Sequence, residues 1–202
     1  MTSLIIIFTA LSLWGVIHSF LATNRVKSWV KETNINLFHT YRLIYNIFSL
    51  ISFLPISYLV VALSDTPIYQ IPSPWVLISL LIQIVSGILM VVAFRQTGIS
   101  NFLGIRILDK QINYEDDRMV TDGLYRIVRH PLYILGLIIL WLNPFMTLNR
   151  LIFSLTITIY VLIGAVFEEK RLEANFRSQY KEYKMKTPMF IPKLKFNRQS
   201  RQ

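Results

Sequence analysis

The sequence predicts an all-α, polytopic membrane protein with five transmembrane helices, the last two forming a helical hairpin, and three observations predict it. The 202 residues are 53% hydrophobic with a mean hydropathy of +0.48. Only 16% are charged, where a water-soluble domain carries about a quarter. The apolar residues fall in runs long enough to cross a hydrocarbon core about 30 Å thick, which takes roughly 20 helical residues. The basic residues cluster on one side of those runs. This composition excludes disorder, collagen and a disulfide scaffold. Cysteine is absent, so there is no thiolate metal ligand and no cysteine nucleophile, and no metal site is expected.

The first run is residues 3–22, with His18 as its only ionisable side chain. It lacks a basic leader and is not followed by a small-residue cleavage site, so it reads as a retained helix rather than a signal peptide. Residues 43–63 and 75–94 follow without a charge. Residues 132–148 form a shorter run interrupted by Asn143-Pro144, and residues 151–167 come directly after it. Two short runs separated by Asn149-Arg150 read as a tight helical hairpin over 132–167. The chain is expected to be one integral membrane domain, residues 1–202. Three spans lie within 1–94, a functional core lies in 95–192, and a loose tail covers 193–202.

Charge sets the orientation. Residues 23–42, 95–131 and 168–202 hold four, six and ten Lys/Arg, while 64–74 hold none and 143–150 hold one. Segments alternate across the membrane, so nearly all basic residues share one face. The positive-inside rule makes that face cytoplasmic, with the N-terminus outside and the C-terminus inside. The net charge of +10 then serves orientation and attraction to anionic lipid headgroups. The bilayer is the expected partner; no nucleic-acid motif appears. Trp14, Trp29, Trp75 and Trp141, with Tyr41, Tyr69 and Tyr133, lie near span ends and read as an interfacial aromatic belt.

Polar residues concentrate against the cytoplasmic side in two segments that flank the hairpin, residues 117–133 (DRMVTDGLYRIVRHPLY) and 168–192 (EEKRLEANFRSQYKEYKMKTPMFIP). In the first, Thr121-Asp122-Gly123 reads as a turn, and Leu124 to Arg129 as a short amphipathic element. Pro131 then opens the fourth span, where its missing N–H costs nothing. His130 stands at that helix start, where unbonded N–H groups and the positive dipole end suit an anion such as a carboxylate. Arg126 and Arg129 add positive charge, or else meet lipid phosphates. In the second segment, Glu168 and Glu169 end an apolar helix, against the macrodipole. A cation should compensate them, either Lys170 and Arg171 or a cationic ligand. One ligand with both an ammonium group and a carboxylate satisfies Glu168 and the His130 end together, and S-adenosylmethionine answers that description.

Four ordered motifs, MVTDGLY, RHPLY, EEKRLEANFRSQYKEY and TPMFIP, span roughly residues 117–192. By them the chain resembles the membrane-embedded isoprenylcysteine carboxyl methyltransferase family, which takes in the phospholipid methyltransferases. Its amino-terminal part (LWGVIHSFLATNRVKSW, then YRLIYN) is similar to the bacterial NnrU-like and thiol-methylating branches. The resemblance implies a bacterial inner-membrane enzyme with an S-adenosylmethionine pocket formed by the last two spans and closed by the C-terminal segment. It places Arg118, Met119, Val120, Tyr125, His130, Pro131, Tyr133 and Glu168 on cofactor-binding positions. His130 and Glu168 act by positioning, with no covalent nucleophile. His18, Arg129 and Glu169 are candidates for the substrate side. The isoprenylcysteine branch carries an arginine one turn before the acidic pair, facing the substrate carboxylate; this chain has Gly164 there. The acceptor is therefore a lipophilic or small thiol, carboxyl or amine compound. The alternative is a non-catalytic accessory or carrier that keeps the fold.

Overall fold

The computed structural model describes residues 1–98 and 119–192; Arg118 and the tail 193–202 lie outside the described residues. Among the described residues, six α-helices and two short strands follow in the order α1 (Thr2–Leu21), α2 (Asn24–Thr33), α3 (Ile35–Ala62), β1 (Pro67–Gln70), α4 (Trp75–Gln96), α5 (Pro131–Trp141), β2 (Phe145–Thr147) and α6 (Leu148–Lys186). α1, α3, α4 and α6 are each long and apolar enough to cross a membrane. Large apolar side chains such as Leu50, Leu54, Leu77, Leu81 and Ile163 face outward. A water-soluble domain would bury these side chains, whereas a bilayer solvates them. The chain is a multi-pass integral membrane protein.

Polar caps separate the first three helices. The Thr23 hydroxyl accepts the Val26 N–H at the start of α2, and Asn34 Oδ1 accepts the Leu37 N–H at the start of α3 at 3.0 Å. Each satisfies one of the donors that a helix start leaves unpaired. α2 carries charge on one side and buries Val30 on the other, with Trp29 exposed. That is the pattern of a helix lying in the interface.

The fourth expected span departs from expectation. α5 has eleven residues, about 16 Å at 1.5 Å per residue, against the roughly 20 residues a crossing needs. Four helices thus meet the length of a span and α5 is a partial one. Asn143-Pro144 ends it, and the chain then pairs as a strand. β2 runs antiparallel to β1, with Tyr69 opposite Met146, so the molecule is not purely α-helical. Asn149-Arg150 is no loop but the first turn of α6, capped by the Thr147 hydroxyl. The Asn149 amide is buried and donates towards the carbonyls of Val60, Leu63 and Ser64 at 3.5, 3.3 and 3.3 Å, meeting the last acceptors of α3. The Asp65 carboxylate accepts the Asn149 N–H at 3.0 Å. Burial opposes its ionisation, but hydrogen bonds from Thr147, Asn149 and Thr66 and the charge of Arg150 together hold its pKa below the usual value.

α5 packs chiefly on α4. Its last carbonyl, on Leu142, accepts from the Ser79 hydroxyl and from Gln83 Nε2. From that anchor, eleven residues bring its start to a level roughly one turn short of Gln96. α6 packs on α1, and Trp141 on α5 donates to the Thr158 hydroxyl at 3.0 Å. α6 does not stop at the acidic pair. It continues to Lys186, with a break at Arg177, where φ is 47°. Glu168 and Glu169 therefore lie within a helix, and the expected conflict with a helix C-terminus does not arise.

Candidate functional site

The site forms where the chain enters α5. Gly123 has φ +60°, and a Cβ there would strike the Gln96 amide. Glycine lets the turn close on α4, and Gln96 Oε1 accepts the Leu124 N–H at 3.1 Å. One 3-10 turn, Gly123–Arg126, leads to His130 as the N-cap and Pro131 as the first residue of α5. The N–H groups of the following residues have no carbonyl to reach within the helix.

The His130 ring is buried and stacks on Tyr133, with centroids 5.2 Å apart and planes 3° apart; Phe190 lies against it at 5.7 Å. Its Nδ1 is 3.7 Å from Glu168 Oε2 and its Nε2 3.3 Å from Glu169 Oε1. The start of α5 and the acidic pair of α6 thus meet.

The two glutamates differ. Glu169 is buried and receives Arg129 Nε at 2.7 Å and Nη2 at 2.6 Å, with Lys184 Nζ 3.4 Å away. Arg129 Nη1 also donates to the Lys184 and Thr187 carbonyls at 3.2 and 2.5 Å. The Pro188 and Met189 carbonyls accept the N–H groups of Arg129 and His130 at 2.9 and 3.2 Å. The C-terminal segment is thereby fastened across the start of α5. Glu168 keeps 32% of its side chain exposed, and one oxygen accepts the Tyr133 hydroxyl at 2.7 Å.

Two tyrosines border this space. Burial, then the charge of Glu168 and the proximity of Tyr183, push the Tyr125 phenol up, so it remains a neutral donor. The Tyr125 carbonyl accepts the Tyr183 hydroxyl at 2.5 Å. Tyr180 is 1% exposed, yet its hydroxyl has no hydrogen-bond partner among the described residues. An orphaned buried hydroxyl costs about 1–3 kcal/mol. The donor set fits a ligand carrying an ammonium group and a carboxylate: an accessible carboxylate at Glu168, unpaired N–H groups at the start of α5, and an aromatic wall.

Of the residues singled out from the sequence, Tyr125, His130, Pro131, Tyr133 and Glu168 come together here. Met119 and Val120 are half-buried in irregular chain just before the turn. Arg129 and Glu169, expected on the substrate side, pair with each other, and Arg171 is not the cation that receives Glu169. His18 lies elsewhere, in a polar cluster inside the helices. Its ring stacks on Trp14 at 4.7 Å, its Nδ1 is 2.9 Å from Ser49 Oγ, and its Nε2 is 2.7 Å from the Tyr45 hydroxyl. Trp14 donates to Ser52, and the Tyr160 hydroxyl is 3.2 Å from Ser19 Oγ. Lys184, Tyr180, Tyr45 and Ser49 escaped sequence reasoning. The spacing of Tyr41, Tyr45 and Ser49 by four, a polar stripe in an apolar span, is the signal that could have found the last two.

A family model described as NnrU protein matches residues 5–194. The chain is 30% identical over 196 residues to a protein of Bradyrhizobium diazoefficiens named methanethiol S-methyltransferase 1, covering 94% of this chain and 67% of that one. It is 44% identical over 82 residues to a methanethiol S-methyltransferase of Pseudomonas deceptionensis, 41% of this chain and 31% of that one. A protein-S-isoprenylcysteine O-methyltransferase of Schizosaccharomyces pombe is 37% identical over 82 residues, 39% of this chain and 34% of its own. The matches thus span from 31% to 67% of these relatives' lengths. No solved structure matches the chain.

Proposed function

We propose, from the premise that this chain belongs to the NnrU family, that it is an integral membrane S-adenosylmethionine-dependent methyltransferase whose acceptor is a small thiol. The meeting of the His130 helix start with the half-open Glu168 carboxylate carries this reading. The names of the relatives point to the same chemistry, and those matched at greatest length are named for methanethiol. Gly164 adds to it: the family position that holds a cation for a carboxylate substrate carries no charge here.

When bound, the sulfonium donor supplies an activated methyl group. Glu168 faces its ammonium group, held in orientation by the Tyr133 hydroxyl. The first N–H groups of α5 face its carboxylate. His130 Nε2 bonds Glu169 at 3.3 Å and its Nδ1 lies 3.7 Å from Glu168, so the imidazole positions the acidic pair beside the helix start where the carboxylate would sit. Tyr125 or Tyr133 would pack against the adenosine. Arg129 and Glu169 fix the C-terminal segment as a cover. Methyl transfer is an in-line displacement, and holding both reactants aligned can supply ~7–11 kcal/mol of the barrier. The clustering of basic residues at one set of helix ends supports a site on the cytoplasmic face of a bacterial inner membrane, with the N-terminus outside.

The test is to incubate membranes containing the protein with methyl-labelled S-adenosylmethionine and separately with methanethiol, a phospholipid amine and a prenylcysteine. Label in a volatile thioether is expected. Donor binding by calorimetry without transfer to any acceptor would make the protein a non-catalytic accessory. Label in lipid or protein would move the acceptor class.

A further inference from the structure

We propose that the His18–Tyr45 pair, half-buried between α1 and α3, takes up the proton of the thiol acceptor; this rests on the methyltransferase reading above. A thiol attacks as its thiolate, and an alkyl thiol is largely protonated at neutral pH, so a base at the acceptor side is required. An ionisable side chain within a span is a functional candidate by default.

The hydrogen bonds assign the roles. The Ser49 hydroxyl donates to the Tyr45 carbonyl at 2.7 Å, so its oxygen is left to accept, and His18 Nδ1–H donates to it across 2.9 Å. His18 Nε2 is then the lone-pair nitrogen, and Tyr45 O–H donates to it at 2.7 Å. The same hydroxyl is 3.3 Å from the His18 carbonyl. If Nε2 takes a proton, the Tyr45 hydroxyl can turn to that carbonyl and accept from Nε2–H instead. Both protonation states of His18 are thus fully hydrogen-bonded within the cluster, which is what a proton acceptor in an apolar setting needs.

The cluster lies along the same helix as the donor site. Tyr160, Gly164 and Glu168 follow at intervals of four and share one face of α6, with about 12 Å between the first and last. Tyr160 lies 6.3 Å from the His18 ring. A Cβ at Gly164 would meet nothing within 4 Å, so no side chain crowds this position midway between Tyr160 and Glu168. Tyr133 marks the donor end, hydrogen-bonded to Glu168, and Tyr45 the other end, hydrogen-bonded to His18.

The step balances without a further reactant. The thiol proton passes to the pair and rests on His18 Nε2. The thiolate sulfur forms a bond to the methyl carbon while the bond from that carbon to the sulfonium sulfur breaks. The electron pair stays on the leaving sulfur as a neutral thioether. The proton later leaves to water.

The experiment compares the full chain in detergent with His18→Gln and Tyr45→Phe. Glutamine can still donate to Ser49 and accept from Tyr45, but it is not a base. Initial rates are measured with ethanethiol and with trifluoroethanethiol, similar in size but far more acidic, alongside calorimetric affinity for S-adenosylmethionine. His18→Gln is expected to slow ethanethiol methylation by at least about 100-fold, the usual scale of a lost general base. Trifluoroethanethiol should slow by less than about fivefold, and donor affinity should stay within about twofold, because a pre-ionised thiol needs no base. Tyr45→Phe should show the same acidity-dependent loss in smaller degree. Equal slowing of both thiols, or unchanged ethanethiol turnover, overturns the proposal while leaving the methyltransferase reading intact. No transfer by the wild type to either thiol or to methanethiol overturns both.

Discussion

Arg129 and Glu169 are joined twice, from Nε at 2.7 Å and Nη2 at 2.6 Å, and each side chain is 8% exposed. A surface pair of this kind contributes little, but a buried one is costly to break, because the Glu169 charge then stays buried with only Lys184 Nζ at 3.4 Å and His130 Nε2 at 3.3 Å beside it. Arg129→Met is expected to destabilise by about 3–5 kcal/mol. Adding Glu169→Gln to it should recover most of the loss. Thermal unfolding in detergent measures both; a double variant as unstable as the single one would contradict the pairing.

Glu168 is expected to behave differently from its neighbour. Its side chain is a third exposed and bound by Tyr133, so Glu168→Gln should leave Tm nearly unchanged. A lost charge-assisted bond of about 1.5–3 kcal/mol corresponds to roughly 10–100-fold weaker S-adenosylmethionine binding by calorimetry.

Asn149 provides a control at the far end of the helices. Asn149→Leu removes the donor serving the end of α3 and should cost about 1–3 kcal/mol of stability. Donor affinity in the folded fraction should be that of the wild type. A large affinity loss would mean that the two ends are coupled.

Gly123→Ala tests the turn that opens the site. The residue has φ +60° and faces the Gln96 amide, so an added methyl meets both an unfavourable backbone region and a neighbour. A loss of at least about 1–2 kcal/mol is expected, together with weaker donor binding, because Leu124 and the approach to His130 shift. Gln96→Ala should soften the clash without restoring the hydrogen bond to Leu124.

Much of this was legible from hydropathy and charge. Three uncharged runs became α1, α3 and α4, and Pro131 marked the start of α5 because a helix's first turn loses nothing by proline's missing N–H. The acidic pair pointed to a compensating cation because uncompensated charge at a membrane is expensive. What compensates Glu169, however, is Arg129 from forty residues away and Lys184 from beyond the expected helix end; neighbours in sequence could not reveal it. The strand pairing escaped for a similar reason. Residues 67–70 and 145–147 are too short to show a period of two, and only their contact across 75 residues makes them strands. The shortness of α5 followed from that contact, since a run of apolar letters does not say how many of them are spent on a strand.

The eleven residues of α5 also bear on how a reactant is supplied. Its start falls roughly one turn short of the end of α4, so the approach to Tyr133 runs past the apolar flank of the helices. A small, weakly polar thiol, the acceptor proposed above, would reach such a site from the acyl chains without an aqueous channel. The concentration that governs turnover is then the one in oil, and the apparent KM across a series of solutes should follow their oil–water partitioning rather than their abundance in the surrounding buffer.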